Sequence, residues 1–295
     1  MNKLIILVLS SKTYPSSRNQ KAQIKTWAKN IPLGVEIIFY TSGQKESIKN
    51  NILTVNAGKK TSDIGDKTLK AFGWVMKNRQ FNYLFRTNTS SYIDIENLLE
   101  YIGSLNDSEE FVYSGKKMSL PKNNLRDKVD FISGAGILLS RSTIDLILKN
   151  ENSFELEEWD DVAIGKLLQA KNIKIIPGNR FDIKGNLFKQ KINPNFYHYR
   201  CRIDNHYGYP RFLEKFVILE LHKSLNKKKV NKLHFIFYNS VFEISKFFYI
   251  QSPFWKLYEK IKKVLKLIVP KAFYIVIKNL LKNLDNKIKL RYLKK

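Results

Sequence analysis

The sequence predicts an α/β fold, a doubly wound mixed sheet with flanking helices, followed by a basic helical tail. Two observations predict the sheet: short apolar, β-rich runs recur along the chain, and amphipathic helical patterns lie between them. A shift in charge predicts the tail, because residues 211–295 hold 21 Lys and Arg but only 5 Asp and Glu, which is +16 of the chain's net +26. We therefore divide the 295 residues into a domain at 1–209 and a tail at 210–295.

The individual elements follow from apolar periodicity and from the residues that bound each run. Predicted strands cover Lys3–Leu9, Val35–Tyr40, Ile52–Val55, Phe81–Arg86, Phe111–Ser114 and Phe131–Leu139. Predicted helices cover Arg18–Lys29, Asp66–Asn78, Asp94–Ser104 and Asp161–Lys171, and Asp94 and Ser142 are placed as N-caps. The first run follows a Lys, as in a signal peptide, but it is short and lacks a small-residue cleavage site, so a buried strand is expected.

Composition restricts the partners. A net charge of +26 implies an anionic partner, which is a nucleic acid, an anionic membrane surface or a phosphate-bearing substrate. The single Cys201 excludes an intramolecular disulfide and a thiolate metal cluster, and it favours a reducing compartment such as the cytosol. The chain has no helix-turn-helix, zinc-finger or RNA-binding signature, so nucleic acid is the disfavoured partner.

The tail alternates aromatic residues with lysines. Between 254 and 268 the apolar residues recur at helical spacing, with Phe254 and Trp255 at the start of the pattern. Such a helix either packs on the domain with a solvated Lys face or lies in a membrane interface, and the excess of both residue types favours the membrane. We expect peripheral association at the cytoplasmic face of a membrane, without a transmembrane helix, because no uncharged apolar run reaches about 18 residues.

Four segments, in order over about residues 1–205, resemble the fringe and β-1,3-galactosyltransferase-like group of GT-A glycosyltransferases. They are Arg18–Trp27, Lys67–Trp74, Phe131–Ser140 with its Ser-Gly-Ala-Gly run, and Trp159–Gly165 with its Asp-Asp-Val-Ala-Ile-Gly run. The resemblance implies a GT-A fold and an enzyme that moves a sugar from a nucleotide-sugar donor to a glycan or lipid-linked acceptor. It also implies inversion and a place in surface polysaccharide or lipopolysaccharide-type synthesis.

Asp161 is the candidate catalytic base. An inverting transfer needs one carboxylate to take the proton of the acceptor hydroxyl as that oxygen attacks the anomeric carbon. The adjacent Asp160 would raise the pKa of one carboxyl of the pair, which suits a base. Two acids at a helix start are also ordinary capping and dipole residues, and that alternative stays open.

The resemblance also places an acceptor side around the third and fourth segments. Glycines 134 and 136 are candidates for close approach of a sugar ring, although a bulge or a packing site explains glycines in a strand equally well. The candidate acceptor-side residues are Gly134, Ala135, Gly136, Trp159 and Asp160.

One departure from the family pattern concerns metal. The group usually has Asp-x-Asp to hold a divalent cation on the donor diphosphate, whereas this chain has Asn88-Thr89-Ser90. Mn²⁺ and Mg²⁺ favour anionic oxygen ligands, so the metal site is left unassigned, with His198 as one candidate ligand, and the cofactor is either such a cation or none.

Cationic side chains can stabilise a leaving diphosphate in place of metal. Strand alternation would place His198, Arg200 and Arg202 on one face, although a surface strand with solvated arginines shows the same pattern. By position or by resemblance, the candidate donor-binding residues are Lys12, Thr13, Arg18, Arg86, Asn88, Ser90, His198 and Arg200.

Two functions therefore stay open from the sequence. The first is the transferase. The second is a binding protein, either a GT-A fold that has lost turnover or a basic nucleic-acid-binding module. Donor binding and hydrolysis distinguish them.

Overall fold

A central mixed sheet organises the chain. The computed structural model describes residues 3–105, 109–120, 129–204, 209–226 and 238–245. Within them, the sheet has eight strands in the order β3-β4-β2-β1-β5-β8-β7-β9. These strands are β1 (Leu4–Leu9), β2 (Val35–Gly43), β3 (Ser47–Lys49), β4 (Ile52–Asn56), β5 (Tyr83–Asn88), β7 (Tyr113–Leu120), β8 (Val129–Ser140) and β9 (Ile176–Pro177).

The strand directions explain where a ligand can bind. Strands β4, β2, β1 and β5 are mutually parallel, whereas β8 pairs antiparallel with both β5 and β7. In a sheet of this kind, ligands bind beyond the carboxyl ends of the parallel strands. Leu9 at the end of β1 pairs with Asn88 at the end of β5, so the loops that follow these two strands are neighbours.

A smaller sheet lies beside the first. It consists of β6 (Ser91–Ile93), β10 (Arg180–Asp182) and β11 (His198–Arg200), with β11 in the centre. Because β6 follows β5 after only two residues, the chain turns sharply at Thr89 and Ser90 between the two sheets. This turn lies at the carboxyl end of β5.

Helices cover both faces of the central sheet. They are α1 (Ser16–Lys25), α2 (Ile64–Asn78), α3 (Ile95–Gly103), α4 (Arg141–Lys149), α5 (Asp160–Ala170) and α6 (Glu214–Leu225). Alternate residues of β1 point to opposite faces, as strand geometry requires: Leu4, Ile6 and Val8 join one core, and Ile5 and Leu7 join the other. The predicted mixed α/β sheet with flanking helices is confirmed.

The structure confirms one of the two predicted helix caps and corrects the other cap and one helix end. Asp94 is the N-cap of α3, since its carboxylate accepts a hydrogen bond from Asn97 N at 3.1 Å. The placement of Ser142 as a cap is wrong, because Ser140 is the N-cap of α4 and its hydroxyl accepts from Thr143 N at 3.3 Å. Helix α1 ends at Lys25, four residues earlier than predicted, where the Thr26 hydroxyl donates to Ala22 O at 2.8 Å.

Part of the segment predicted as a tail packs on the domain. Helix α6 contributes Val217, Ile218 and Leu221 to the core on the α1 side, and a helical segment at 238–245 adds Tyr238 and Phe242. The predicted amphipathic helix at 254–268 lies outside the described residues. No helix in the described part of the chain is long and apolar enough to cross a membrane.

Candidate active site

The candidate site lies at the carboxyl ends of β1 and β5, where two clusters of polar side chains occur. One cluster connects β5, β8 and α5 and contains Arg86, Gly134, Asp160 and Asp161. The other connects the turn after β5 to the start of α6 and contains Ser90, Arg211 and Glu214. Below they are called the α5 cluster and the α6 cluster.

In the α5 cluster, Arg86 and Asp160 form a buried ion pair. The guanidinium of Arg86 donates to the Asp160 carboxylate, to Gly134 O and, from Nε, to the Tyr40 hydroxyl. Thr68 Oγ1 donates to the same Asp160 oxygen at 3.0 Å. Burial opposes the charge of Arg86, but the Asp160 carboxylate holds the Arg86 pKa above its usual value, so the guanidinium keeps its charge.

Asp161 differs from its neighbour in being only partly buried. Its Oδ2 accepts from Gly134 N at 2.7 Å, and its Oδ1 accepts from Val162 N at 3.0 Å. Burial raises the pKa of Asp161, and the negative charge of Asp160 raises it further. Each carboxylate oxygen keeps a further lone pair, so Asp161 is able to accept a proton from a bound hydroxyl.

The Gly134–Gly136 segment of β8 lies against this cluster. A side chain at Gly136 would come within 2.5 Å of His198 Cε1 and 2.8 Å of Phe85 Cζ, so a larger residue has no room there. Ala135 O accepts from Thr87 Oγ1 at 2.6 Å and from Ser91 Oγ at 3.1 Å. The segment thus connects β5 to the smaller sheet.

His198 lies behind this segment and is buried. Its Nε2 is 3.1 Å from Ser91 Oγ, and its ring meets Phe85 edge to face. Burial lowers the pKa of His198 well below its usual range, and the positive charge of Arg180 lowers it further. The imidazole is therefore neutral near neutral pH and contributes no charge to the site.

In the α6 cluster, Glu214 joins α1, the turn after β5 and α6. Its carboxylate, which is fully buried, accepts from Asn19 Nδ2 at 2.6 Å and from Ser90 Oγ at 2.8 Å. Arg211 Nε donates to it at 2.7 Å, and Arg211 Nη2 donates to Glu214 Oε2 and to Ser90 Oγ, both at 3.1 Å. A carboxylate from α6 therefore holds the turn in place.

The remaining predicted residues lie around the rim. Lys12 and Thr13 are exposed in the loop after β1, and Arg18 is exposed on α1 with its guanidinium 5.4 Å from the centre of the Tyr14 ring. Ser16 Oγ lies 2.9 Å from Thr89 Oγ1, which ties this loop to the turn after β5. Arg200 is half-buried at the end of β11, opposite Ser91 of β6, whereas Arg202 lies beyond that strand and pairs with Asp204 at 2.7 Å.

Trp159 directly precedes the two aspartates. It is 66% exposed, which is unusual for so large an apolar side chain and leaves its ring available to a ligand. The structure thus brings together Asp160, Asp161, Arg86 and the residues of the 134–136 segment, while Lys12, Thr13 and Arg18 lie on the side of α1.

The turn after β5 does not fit a divalent cation. Asn88 Oδ1 accepts from Ser90 N at 2.9 Å, and the hydroxyls of Thr89 and Ser90 bond to Ser16 and Glu214. Among the described residues no group of three or more His, Cys, Asp or Glu side chains could hold a metal ion. The Ser90 hydroxyl contacts two charged groups, the Glu214 carboxylate and the Arg211 guanidinium. The positive charge of Arg211 would repel a metal ion at this turn.

Sequence reasoning missed several residues of the site. Glu214 and Arg211 carry no motif and lie in the segment predicted as tail; their spacing of three residues at a helix start was the available signal. Tyr40 and Thr68 complete the surroundings of Arg86 and Asp160, and the hydroxyls of the two lie 3.1 Å apart. Thr68 belongs to the segment 67–74 that was singled out, but its partner 92 residues away was not foreseeable.

No protein-family model matches the chain. It is similar to the human UDP-GalNAc:beta-1,3-N-acetylgalactosaminyltransferase 1, with 24% identity over 205 residues that cover 58% of this chain and 61% of the human protein. The rat protein of that name is 21% identical over 205 residues, covering 59% and 62%. The match therefore spans about three fifths of the length of these curated relatives.

Solved structures of glycosyltransferases are also similar. One is involved in glycosylation of the major capsid of PBCV-1, with 8% identity, coverage of 73% of this chain and 98% of that one, and a TM-score of 0.45. Another is the galactosyltransferase LgtC, with 10% identity, coverage of 78% and 98%, and a TM-score of 0.43.

Proposed function

We propose that the chain is a GT-A glycosyltransferase that moves a sugar from a nucleotide-sugar donor to a glycan or lipid-linked acceptor with inversion. The observation that carries this proposal is the Asp161 carboxylate, held by Gly134 N at the carboxyl end of the parallel strands beside the Arg86–Asp160 pair. The similarity of more than half of the chain to a β-1,3-N-acetylgalactosaminyltransferase supports the same activity.

In this reaction Asp161 is the general base. The acceptor hydroxyl oxygen forms a bond to the anomeric carbon of the donor sugar, and its proton passes to the Asp161 carboxylate. The bond from the anomeric carbon to the diphosphate oxygen breaks, and its electron pair leaves with the nucleoside diphosphate. Burial supports the base role because it raises the pKa of Asp161 and so increases its proton affinity.

The neighbouring residues divide between the two substrates. On the acceptor side, the exposed Trp159 ring offers a surface for a sugar, and the narrow backbone at Gly134–Gly136 positions Asp161. On the donor side, the loop with Lys12 and Thr13 and the start of α1 with Arg18 are joined to the Asn88–Ser90 turn by the Ser16–Thr89 contact. A donor between this loop and the turn would present its anomeric carbon toward α5.

A hydrolysis and transfer screen tests the proposal. Full-length protein is incubated with UDP-, GDP- and CMP-linked sugars, with EDTA or with Mn²⁺, and release of nucleotide is measured. We expect release from at least one donor, enhanced by an acceptor glycan. Absence of nucleotide-sugar binding and of release in every arm contradicts a transferase, and steeply salt-dependent binding to DNA and RNA would favour the nucleic-acid alternative.

The site of action in this proposal is the cytoplasmic face of an anionic membrane, as in surface polysaccharide or lipopolysaccharide-type synthesis. Support comes from the composition of residues 246–295, which hold 14 Lys and Arg and only 2 Asp and Glu together with many aromatics. Each Lys near an anionic surface contributes about 1 kcal/mol to binding.

Truncation tests the membrane part separately. Because residues 210–226 and 238–245 pack on the domain, the deletion begins at residue 246. We expect the truncated protein to remain folded and to bind nucleotide, but no longer to sediment with anionic liposomes at low salt. Full-length protein that ignores such liposomes, or a truncated protein that still sediments, contradicts membrane attachment through this segment.

A further inference from the structure

We propose that Arg211 supplies, at the Asn88–Ser90 turn, the positive charge that stabilises the donor diphosphate, in place of a divalent cation. This inference rests on the proposed function. It assigns a donor-binding role to a residue outside the resembling motifs, and it follows from the contacts of the α6 cluster.

The first step is the position of Arg211. Its Nη2 lies 3.1 Å from Ser90 Oγ, so the guanidinium is in contact with the turn at the end of β5. That turn is beside the end of β1, at the edge of the sheet where a phosphate group is expected to bind. The side chains of the turn itself are Asn, Thr and Ser and carry no charge, so the positive charge in contact with Ser90 comes from Arg211.

The second step is that the Arg211 guanidinium is held in place and still has hydrogen-bond donors available to a ligand. Its Nε and Nη2 are fixed by Glu214, and Nε also lies 3.6 Å from the Asp204 carboxylate. Its side chain is nevertheless 34% exposed, and Nη1 has no hydrogen-bond partner among the described residues. An arginine held at one edge of its fork by a carboxylate presents the other edge to a phosphate with little loss of entropy. Arg86, by contrast, is only 3% exposed and is occupied by Asp160, so it cannot take this role without breaking that pair.

The third step concerns the fixed geometry of Glu214. The carboxylate is fully buried and accepts from Asn19, Ser90 and Arg211, so it cannot turn toward a metal ion without losing these bonds. The Glu214 charge at the turn is thus matched by Arg211, and what this place still offers to a ligand is the exposed part of the guanidinium, which favours an anion and opposes a second cation. Arg18 is a further cation beside the loop after β1, with its guanidinium 5.4 Å from the centre of the Tyr14 ring.

During the transfer this arrangement would act on the leaving group. As the bond between the anomeric carbon and the diphosphate oxygen breaks, the nucleoside diphosphate gains one negative charge. Arg211 donates hydrogen bonds to the phosphate oxygens and keeps its proton, because hydrogen bonding and the charge of Glu214 outweigh burial and raise its pKa. No metal takes part in this step.

Binding measurements on the full chain test the proposal. Calorimetry in EDTA gives the affinity for UDP and GDP and, separately, for uridine and guanosine. The test variant is Arg211→Gln/Glu214→Gln, which removes both charges and leaves no buried carboxylate unpaired. We expect diphosphate affinity to fall roughly 10- to 100-fold and nucleoside affinity to stay unchanged, because one charge-assisted contact to phosphate is lost.

A matched pair on the same domain provides the control. Arg79 Nε pairs with Glu36 at 2.9 Å, and the Arg79 side chain is 33% exposed, close to Arg211 in both respects. Arg79→Gln/Glu36→Gln lies at the other end of β5 and should change neither affinity. Should the Arg211 double variant melt well below wild type, Arg211→Lys decides instead. A lysine keeps the charge but lacks the planar fork that binds Glu214 with one edge and a phosphate with the other, so about threefold weaker diphosphate binding is expected.

The outcomes separate this inference from the proposed function. Unchanged diphosphate affinity in a folded Arg211 variant overturns the inference while the transferase proposal stands. The inference is also overturned, and the transferase proposal still stands, if wild type binds UDP or GDP only with Mn²⁺ and loses binding in EDTA. If wild type binds no nucleoside diphosphate or nucleotide sugar with or without Mn²⁺, the proposed function fails, and the inference fails with it.

Discussion

Two arginine–carboxylate pairs lie near the carboxyl end of β5, and they differ in how far the arginine reaches solvent. Arg86 and Asp160 are both buried, and the Arg86 guanidinium also meets Gly134 O and Tyr40. Arg211 binds an equally buried carboxylate, Glu214, but its own side chain is 34% exposed. The two pairs have the same chemistry but different surroundings. The Arg86–Asp160 pair is enclosed in the protein, whereas the Arg211 side chain of the other pair reaches an edge that a ligand can contact.

The difference shows that the extent of burial determines what an arginine in an ion pair can do. A buried pair that is fully hydrogen-bonded orients its neighbours, and here it fixes α5 so that Asp161 reaches Gly134 N at 2.7 Å. A half-exposed arginine keeps the ability to bind an anion. We accordingly expect changes at the α5 cluster to alter turnover and stability, and changes at Arg211 to alter diphosphate affinity.

The largest effect is expected for Asp161→Asn. The amide keeps the shape and can still accept from Gly134 N, but it cannot take the acceptor proton, so kcat should fall about 10²- to 10⁴-fold. Initial rates and nucleotide affinity are measured beside Asp145→Asn, a surface acid paired with Lys149 that should leave both unchanged. An Asp161→Asn enzyme with more than about a tenth of wild-type kcat would remove Asp161 as the base.

Arg86→Met tests whether that arginine is enclosed or available. Losing it leaves the Asp160 carboxylate buried with Thr68 as its remaining side-chain donor, which should lower the free energy of unfolding by about 3–5 kcal/mol. Urea denaturation measures it, and Arg86→Gln/Asp160→Asn should recover part of the loss. A variant with wild-type stability but weaker UDP or GDP binding would show instead that Arg86 serves the donor and that the contrast with Arg211 is false.

Gly134→Ala disturbs both groups of the α5 cluster by one methyl group. The new Cβ would lie 2.9 Å from Arg86 Nη1 and 3.1 Å from Asp161 Oδ2. Such overpacking should cost about 1–3 kcal/mol of folding free energy and reduce kcat more than nucleotide affinity. Gly73→Ala in α2 is the control, since its Cβ meets nothing within 4 Å and should stabilise by about 0.5–1 kcal/mol. Equal behaviour of the two variants would contradict tight packing at Gly134.

The smallest expected effect is a shift of the pH profile. Burial and the charge of Asp160 raise the pKa of Asp161, so the ionised base is lost, and kcat/KM falls, at a higher pH than for an ordinary aspartate. Asp160→Asn removes one raising charge and frees the Arg86 charge, so the acid limb should move to lower pH. Profiles from pH 4 to 9 are compared with Asp145→Asn, which should not move. A limb that stays in place or moves upward would mean that Asp160 does not act on the base.

The sequence alone determined the layered architecture and part of the site. Short apolar runs mark β1, β2, β5 and β8, because a strand that is buried on both faces of a sheet is apolar over several consecutive residues. The Asp94 cap is equally local. The motifs of a resembling family assigned the segments that contain Gly134 and Asp161 to the same side of the site. The sequence Asn88-Thr89-Ser90 also shows that the acids usual in that family are missing.

Long-range contacts determine which charges are enclosed and which reach the edge of the sheet. Glu214 meets Ser90 across 124 residues and Asn19 across 195, and Asp160 meets Arg86 across 74. Such pairings depend on how loops return to one end of the sheet, which leaves no periodic signal in the chain. For the same reason the start of α6, which by charge alone looked like a tail, is part of the core that holds the turn after β5.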